Sequence, residues 1–329
     1  MQTRSVTPGS DPEAAPTSGG SHPPLTLGLL DVTEVAALAC GRHLGRNEPD
    51  RAREAATAAM LDALEELGVR GRVVLGPRGD VVLSQGAVVG PPGEVQFDLA
   101  VYPVEGATLV GRGLPGAVSI LVAVEPGAFP DLPAVWYMDK LVAGPAARSA
   151  LDLDDPLDDN LRRIAFARNV RVSDLAVAVL DRPRHQELIQ HVRDTGARVV
   201  LLEEGEIAGA LLAAAEGTGI DAMVGVGGLQ ETIISACAVR ALGGEIRARL
   251  WPRNDEERDL AGDQAGRTFG VSELAPELVE VAVTGITDGP LLRAVWYGSD
   301  GSTTESLSMS TRSNTVRRMR STHGRQRGE

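Results

Sequence analysis

The chain has 329 residues and a net charge of −13, and it carries no run of about 18 apolar residues. Its length allows one large domain or two lobes around a sizeable core, while the acidic balance argues against a general nucleic-acid binder and the missing apolar run against a membrane span. Apolar residues are chiefly Ala, Val and Leu and aromatics only 3%, so an aliphatic core with thin, closely packed helices is expected.

Residues 1–24 are rich in Pro, Gly, Ser and Thr, lack the apolar centre of a signal peptide, and read as a disordered tail. Residues 25–67 have helical spacing. Asp31 or Thr33 is a candidate cap, and Val35, Leu38, Ala39 and Leu44 share a face. Asn47-Glu48-Pro49-Asp50 interrupts this pattern, which resumes through Met60, Leu61 and Leu64. Residues 71–75 and 80–84 are short β-type runs, 90–93 a turn, 97–101 and 116–125 strands, and 137–142 lies at or near another strand. These form an expected N-terminal α/β lobe over 25–150.

An acidic connector, 152–159, leads into a helix over 156–166. Strand and helix then alternate: strands at 175–180, 198–202 and 222–226, helices at 185–195, 207–215 and 230–242. Short apolar strands between helices predict buried, largely parallel strands with both faces covered. Late strands at 279–283 and 291–296 precede a hairpin over 302–309 and 311–319, closing a C-terminal lobe of 151–319 before a basic tail, 320–329. Arg312, Arg317, Arg318, Arg320, Arg325 and Arg327 crowd this end and read as a strand end and solvated tail rather than a nucleic-acid arm. Cys40 and Cys237 sit in Ala-rich helical patterns, as expected of two small buried thiols in a reduced cytoplasmic protein. Lys140 is the one lysine in the chain.

Several strand-end segments carry groups suited to phosphate-ester chemistry, which asks for carboxylates on Mg²⁺ or Mn²⁺, guanidinium or ammonium groups on an uncleaved phosphate, and backbone N–H groups at helix starts. Tyr102-Pro103-Val104-Glu105-Gly106-Ala107 runs from a strand into a Pro turn carrying a carboxylate and a glycine. In Asp181-Arg182-Pro183-Arg184-His185 the proline fixes a turn between two guanidinium groups at a helix start, which suits a sugar phosphate. Glu204-Gly205-Glu206 either holds sugar hydroxyls or serves the helix dipole, and Gly225 to Glu231 is a glycine-rich strand-to-helix turn without the dinucleotide-binding spacing.

The order and content of these segments resemble the class II fructose-1,6-bisphosphatases from about Leu27 to Met319. The likeness extends through residues 137–145, 154–161, 250–258, 284–289 and 303–307. It implies a layered α/β sandwich of the lithium-sensitive, inositol monophosphatase-like type, assembled as a cytoplasmic homo-oligomer. It also implies Mn²⁺- or Mg²⁺-dependent hydrolysis of the 1-phosphate of fructose 1,6-bisphosphate or a related sugar phosphate, a gluconeogenic reaction. Carried over by position, the resemblance assigns substrate binding to Glu105, Gly106, Tyr137, Lys140, Arg182, Pro183, Arg184, Glu204, Gly205, Glu206 and Gly228.

The same resemblance makes Glu48, Glu105 and Glu231 the surviving catalytic and metal-ligating residues. Tyr102 stands where the family has an Asp ligand, Ala107 where it has a Thr beside the cleaved phosphate, and Pro77 and Gly79 where it has glutamates. Arg78 adds a positive charge to that segment. A neutral Tyr is a poor ligand for a hard cation, so reduced or absent hydrolysis is expected, and rescue by Asp80, Glu94 or Asp98 as a replacement ligand is the less favoured alternative. A non-catalytic sugar-phosphate-binding regulator or partner subunit is the other reading that follows.

Overall fold

A computed structural model describes residues 25–77 and 79–324. The expected tail at 1–24, Arg78 and the last five residues of the expected basic tail lie outside the described residues. The chain opens with α1 (Leu25–Gly41) and α2 (Pro49–Leu67). Pro49 begins α2 where its missing N–H costs nothing, and Ala52, Ala56, Met60 and Leu64 bury one face at four-residue spacing. Then follow β1 (Gly71–Leu75), β2 (Val88–Val89), β3 (Phe97–Glu105), α3 (Ala107–Arg112), β4 (Val118–Val124) and β5 (Tyr137–Ala143). The middle of the chain alternates: α4 (Leu157–Arg168), β6 (Ala176–Leu180), α5 (Gln186–Asp194), β7 (Arg198–Leu202), α6 (Glu206–Ala214), β8 (Ala222–Gly228), α7 (Leu229–Ala241) and β9 (Glu245–Leu250). It ends with α8 (Asp255–Ala261), β10 (Thr268–Phe269), α9 (Val271–Leu274), β11 (Glu280–Gly285), β12 (Trp296–Gly298), β13 (Gly301–Ser310) and β14 (Thr315–Gly324).

Among the described residues the strands form an eight-stranded sheet, β12-β13-β11-β4-β3-β1-β2 with β14 on β13, and a six-stranded sheet, β10-β9-β5-β8-β6-β7. The first sheet draws strands from both ends of the chain. The second takes β5, from before residue 150, and continues to β10, so the sheets do not divide where the lobes were expected to meet.

Layering follows from burial. All nine residues of α6 and most of α7 are buried, and both helices pack in one core with strands of each sheet. A helix apolar all round belongs in the interior, and Ala and Gly keep this pair thin enough to lie between two sheets. Helices α1 and α2 cover the outer face of the first sheet, and α4 and α5 that of the second. The molecule is thus α/β with helices on both outer faces and between the sheets.

Three expectations need adjusting. The strands of the alternating block are parallel as expected, β6 to both β7 and β8, but β7 is a half-exposed edge strand rather than a buried one, and β5, from before that block, is antiparallel to both β8 and β9, so the sheet as a whole is mixed. Residues 80–84 form a turn instead of a strand, because Asp80 Oδ1 accepts the N–H groups of Val82 and Leu83, each at 2.9 Å. Of the expected 291–296 strand only Trp296 pairs, in a short strand that runs on to Gly298. The closing hairpin forms, and its second strand runs on to Gly324, so the first part of the expected basic tail is sheet.

Candidate functional site

Strand β3 is longer than its apolar core suggests. Pro103 has no N–H for the ladder, and the register with β4 shifts between Tyr102 and Glu105, which marks a bulge. The chain then turns through Gly106 at φ +88°, where a side chain would also collide with Leu109, and enters α3. This delivers Tyr102, Glu105 and Gly106 to a cavity of about 400 Å³ together with Tyr137, Arg182, Arg184, Glu204, Gly205, Glu206, Gly228 and Glu231. Trp136 and Leu180 complete it. The starts of α3, α6 and α7 therefore meet at one place, each bringing the positive end of its dipole.

Cations form the rim. Arg182 Nη1 donates to the carbonyls of Asp181 (2.9 Å) and Glu203 (2.8 Å), and Arg184 Nη2 donates to that of Val226 (2.8 Å). Between them Pro183 sets a single 3₁₀ turn. His185 clamps that turn from below. Its Nε2 accepts the Val226 N–H at 2.9 Å, which places the proton on Nδ1, 2.8 Å from the Leu180 carbonyl. Burial holds this imidazole below its ordinary pKa, in keeping with a neutral structural ring. The Tyr137 ring lies beneath Arg184, with the guanidinium carbon 5.1 Å from its centroid.

Carboxylates form the floor. Glu105 accepts the N–H groups of Ile207 (2.6 Å) and Ala208 (2.9 Å), capping α6 with both oxygens. Burial nevertheless pushes its carboxyl up to about 8, outweighing those donors, and Glu206 and Glu231 add to the rise. Glu206 accepts from Lys140 Nζ and from the Gly228 N–H, the latter at 2.9 Å. Burial raises Glu206 while the Lys140 ammonium opposes it. Glu231 Oε1 accepts the Tyr102 hydroxyl at 2.7 Å, and its Oε2 is buried with no hydrogen-bond partner among the described residues. Gly227 and Gly228 make room for this: a Cβ on either would fall about 2 Å from the carboxylates of Glu206 and Glu231 respectively.

Residues 23–323 match the family model described as bacterial fructose-1,6-bisphosphatase, glpX-encoded. The chain belongs to this family. It is 38% identical over 325 residues to the D-fructose 1,6-bisphosphatase class 2/sedoheptulose 1,7-bisphosphatase of Synechococcus sp. (strain JA-3-3Ab), covering 89% of this chain and 93% of that one. The protein of the same name from Microcystis aeruginosa (strain NIES-843 / IAM M-2473) is 36% identical over 335 residues, covering 91% and 96%. Among solved structures, the extragenic suppressor from Pyrococcus furiosus covers 58% of this chain and 71% of its own, at 10% identity and a TM-score of 0.33, too low to bear on the type of sandwich.

Family membership does not bring every expected residue to the cavity. Lys140 is only 1% exposed and spends its ammonium on Glu206 and on Thr232 Oγ1 (3.0 Å), so it holds the floor rather than facing a ligand. Glu204 stays half-buried at the cavity wall, whereas Glu206 is turned inward, which separates two acids that the sequence presents as a pair. Glu48 sits beside Gly111, at the end of α3 away from Gly106, and is bonded to Arg51 (3.2 Å) and His43 (3.5 Å). Pro77 lines a separate cavity against α2. Of the replacement ligands, Asp80 caps its turn, and Asp98 is committed to Arg72 (2.8 Å) and the Gly127 N–H (2.7 Å). Glu94 is exposed in the stretch before β3.

These placements bear on the divalent metal that the family implies. Among the described residues no group of three or more His, Cys, Asp or Glu is arranged to hold one. The donor set does not fit a multi-metal array, but the orphaned Glu231 Oε2, beside a floor crowded with carboxylates, fits one cation. Trp136 and Arg253 were not singled out from sequence. The Arg253 guanidinium carbon lies 4.6 Å from the Trp136 ring and 5.9 Å from that of Tyr137, a stacking that no spacing rule along the chain announces.

Proposed function

We propose that this chain is a sugar-bisphosphate phosphatase of the fructose-1,6-bisphosphatase type whose hydrolysis is slower than a site with a full set of carboxylate ligands would give. The observation that carries the reading is the Tyr102 hydroxyl on Glu231 at 2.7 Å: the position where the family has an acid ligand donates a proton to a neighbouring ligand. Arg182 and Arg184, pinned to backbone carbonyls, would receive the uncleaved phosphate, with Tyr137 packing beside it and Glu204 and the backbone at Gly205 and Gly228 meeting sugar hydroxyls. Mn²⁺ or Mg²⁺ at Glu231, with Glu105 beside it, would supply Lewis-acid activation of the attacking water. The helix starts at Gly106 and Gly228 would neutralise charge on the phosphate being cleaved. Support for the fold as an inositol monophosphatase-like sandwich comes from the alternation of helix and sheet layers, and support for a cytoplasmic setting from the buried free thiols Cys40 and Cys237. We further propose a homo-oligomer, on the family resemblance alone.

The test is phosphate release from fructose 1,6-bisphosphate and sedoheptulose 1,7-bisphosphate across a Mn²⁺ and Mg²⁺ series. Slow, metal-dependent release that disappears in Glu231→Gln supports the reading. No release from either sugar at millimolar metal would remove hydrolysis from it.

A further inference from the structure

Among the described residues the Tyr137 ring has three partners, and two of them come from a stretch that does not line the cavity. Arg184, at 5.1 Å, belongs to the rim. Arg253, at 5.9 Å, and Trp251, edge-on at 6.2 Å and 74°, belong to the connection between β9 and α8. Backbone pairing seats that connection, since the Trp251 N–H donates to the Tyr137 carbonyl at 2.9 Å. Arg253 is then fixed by Glu257: its backbone N–H donates to Oε2 at 3.0 Å and its Nε to Oε1 at 2.8 Å. Glu257 is itself only 4% exposed, and its N–H is capped by Asn254 Oδ1 at 2.9 Å.

Two guanidinium groups over one ring repel each other unless one is neutralised. Glu257 does this for Arg253, and the hydrogen bond from Arg253 holds the Glu257 carboxyl below its ordinary range. The guanidinium of Arg184 has a carbonyl partner but no carboxylate partner among the described residues, so it is the cation of the pair with charge to offer an anion. Arg253 is outside the cavity lining, and its Nε and Nη2 are turned to Glu257, which makes it a strut rather than an anion ligand.

We infer that Arg253, buttressed by Glu257, is a positioning residue: it holds Tyr137 against Arg184 and thereby sets the affinity of the rim for a sugar phosphate. The inference rests on the sugar-bisphosphate reading above. It adds a specificity element at 251–257, some seventy residues from the nearest rim arginine in sequence.

The test is calorimetric titration with fructose 1,6-bisphosphate, without metal, on the wild-type chain, Arg253→Ala, Tyr137→Leu and the double variant. Arg253→Ala is expected to weaken binding about fourfold, in line with the loss of a partly exposed cation–π contact. In the Tyr137→Leu background the same change is expected to cost less than about twofold, because the ring that links Arg253 to Arg184 is then gone. Equal loss in both backgrounds, or none in Arg253→Ala, overturns the inference while leaving the sugar-bisphosphate reading intact. Absence of binding by the wild-type chain overturns that reading and the inference with it. If Arg253→Ala lacks a cooperative melt, Arg253→Gln carries the same comparison.

Discussion

The rim and the floor of the cavity use their charges in opposite ways. On the rim, Arg184 is exposed and Arg182 half-buried, and both are held only by carbonyl oxygens, so their positive charge remains available to a ligand. On the floor, Glu105 caps a helix, Glu206 pairs with Lys140, and Glu231 accepts a hydrogen bond from Tyr102, so the negative charge is largely spent inside the protein. A site can therefore retain its grip on an anion while losing donors for a metal, because the two halves are built from separate strand ends and fail independently.

The largest expected effect breaks the floor. Lys140→Met leaves Glu206 buried without its counter-charge and should cost about 3–5 kcal/mol, read as a shift in denaturation midpoint. Adding Glu206→Gln should recover much of that loss, and an unchanged midpoint in the single variant would contradict the buried pairing. Next comes the rim. Arg184→Ala should weaken fructose 1,6-bisphosphate binding by about 2 kcal/mol, roughly thirtyfold in Kd, with little change in melting temperature. A large fall in melting temperature at unchanged affinity would move Arg184 from rim to scaffold.

Tyr102→Asp tests whether the halves can be rejoined. It should raise Mn²⁺-dependent phosphate release roughly tenfold by restoring an acidic oxygen ligand beside Glu231, and equal rates in steady-state assays would dissociate Tyr102 from the deficit. The last test is pH dependence, where the effect per pH unit is small. Burial pushes the Glu105 carboxyl up to about 8 in the folded chain from an ordinary 4.5, so the native state holds a proton that the unfolded state releases. Stability should consequently fall as pH rises from about 4.5 to 8 and then level, by no more than about 1.4 kcal/mol per pH unit. Glu105→Gln should flatten that slope in urea titrations, and an identical slope would mean that Glu105 is ionised throughout.

Much of the rim was legible in the chain, because Arg182, Pro183 and Arg184 lie within one turn and Tyr137 opens an apolar strand. The floor was less so. Glu204 and Glu206 look equivalent in sequence, yet Gly205, at φ +90°, puts one at the wall and the other beneath it. Lys140 stood out as a sole lysine, but its spacing said nothing of Glu206, 66 positions away. Glu48 and Pro77 carry the same lesson, since position in a motif did not bring either into contact with Glu231.

Sequence by itself determined the family, the alternation of helix and strand, the aliphatic core and the segments that form the cavity, because local turn chemistry and apolar runs are written residue by residue. Only the tertiary structure decided the antiparallel setting of β5 beside the parallel block, the burial of α6 and α7 between two sheets, the inward turn of Glu206 and Lys140, and the stacking of Arg253 on Tyr137. Each of these depends on which distant surface covers a group and removes it from water, and that is a property of the assembled layers rather than of any segment.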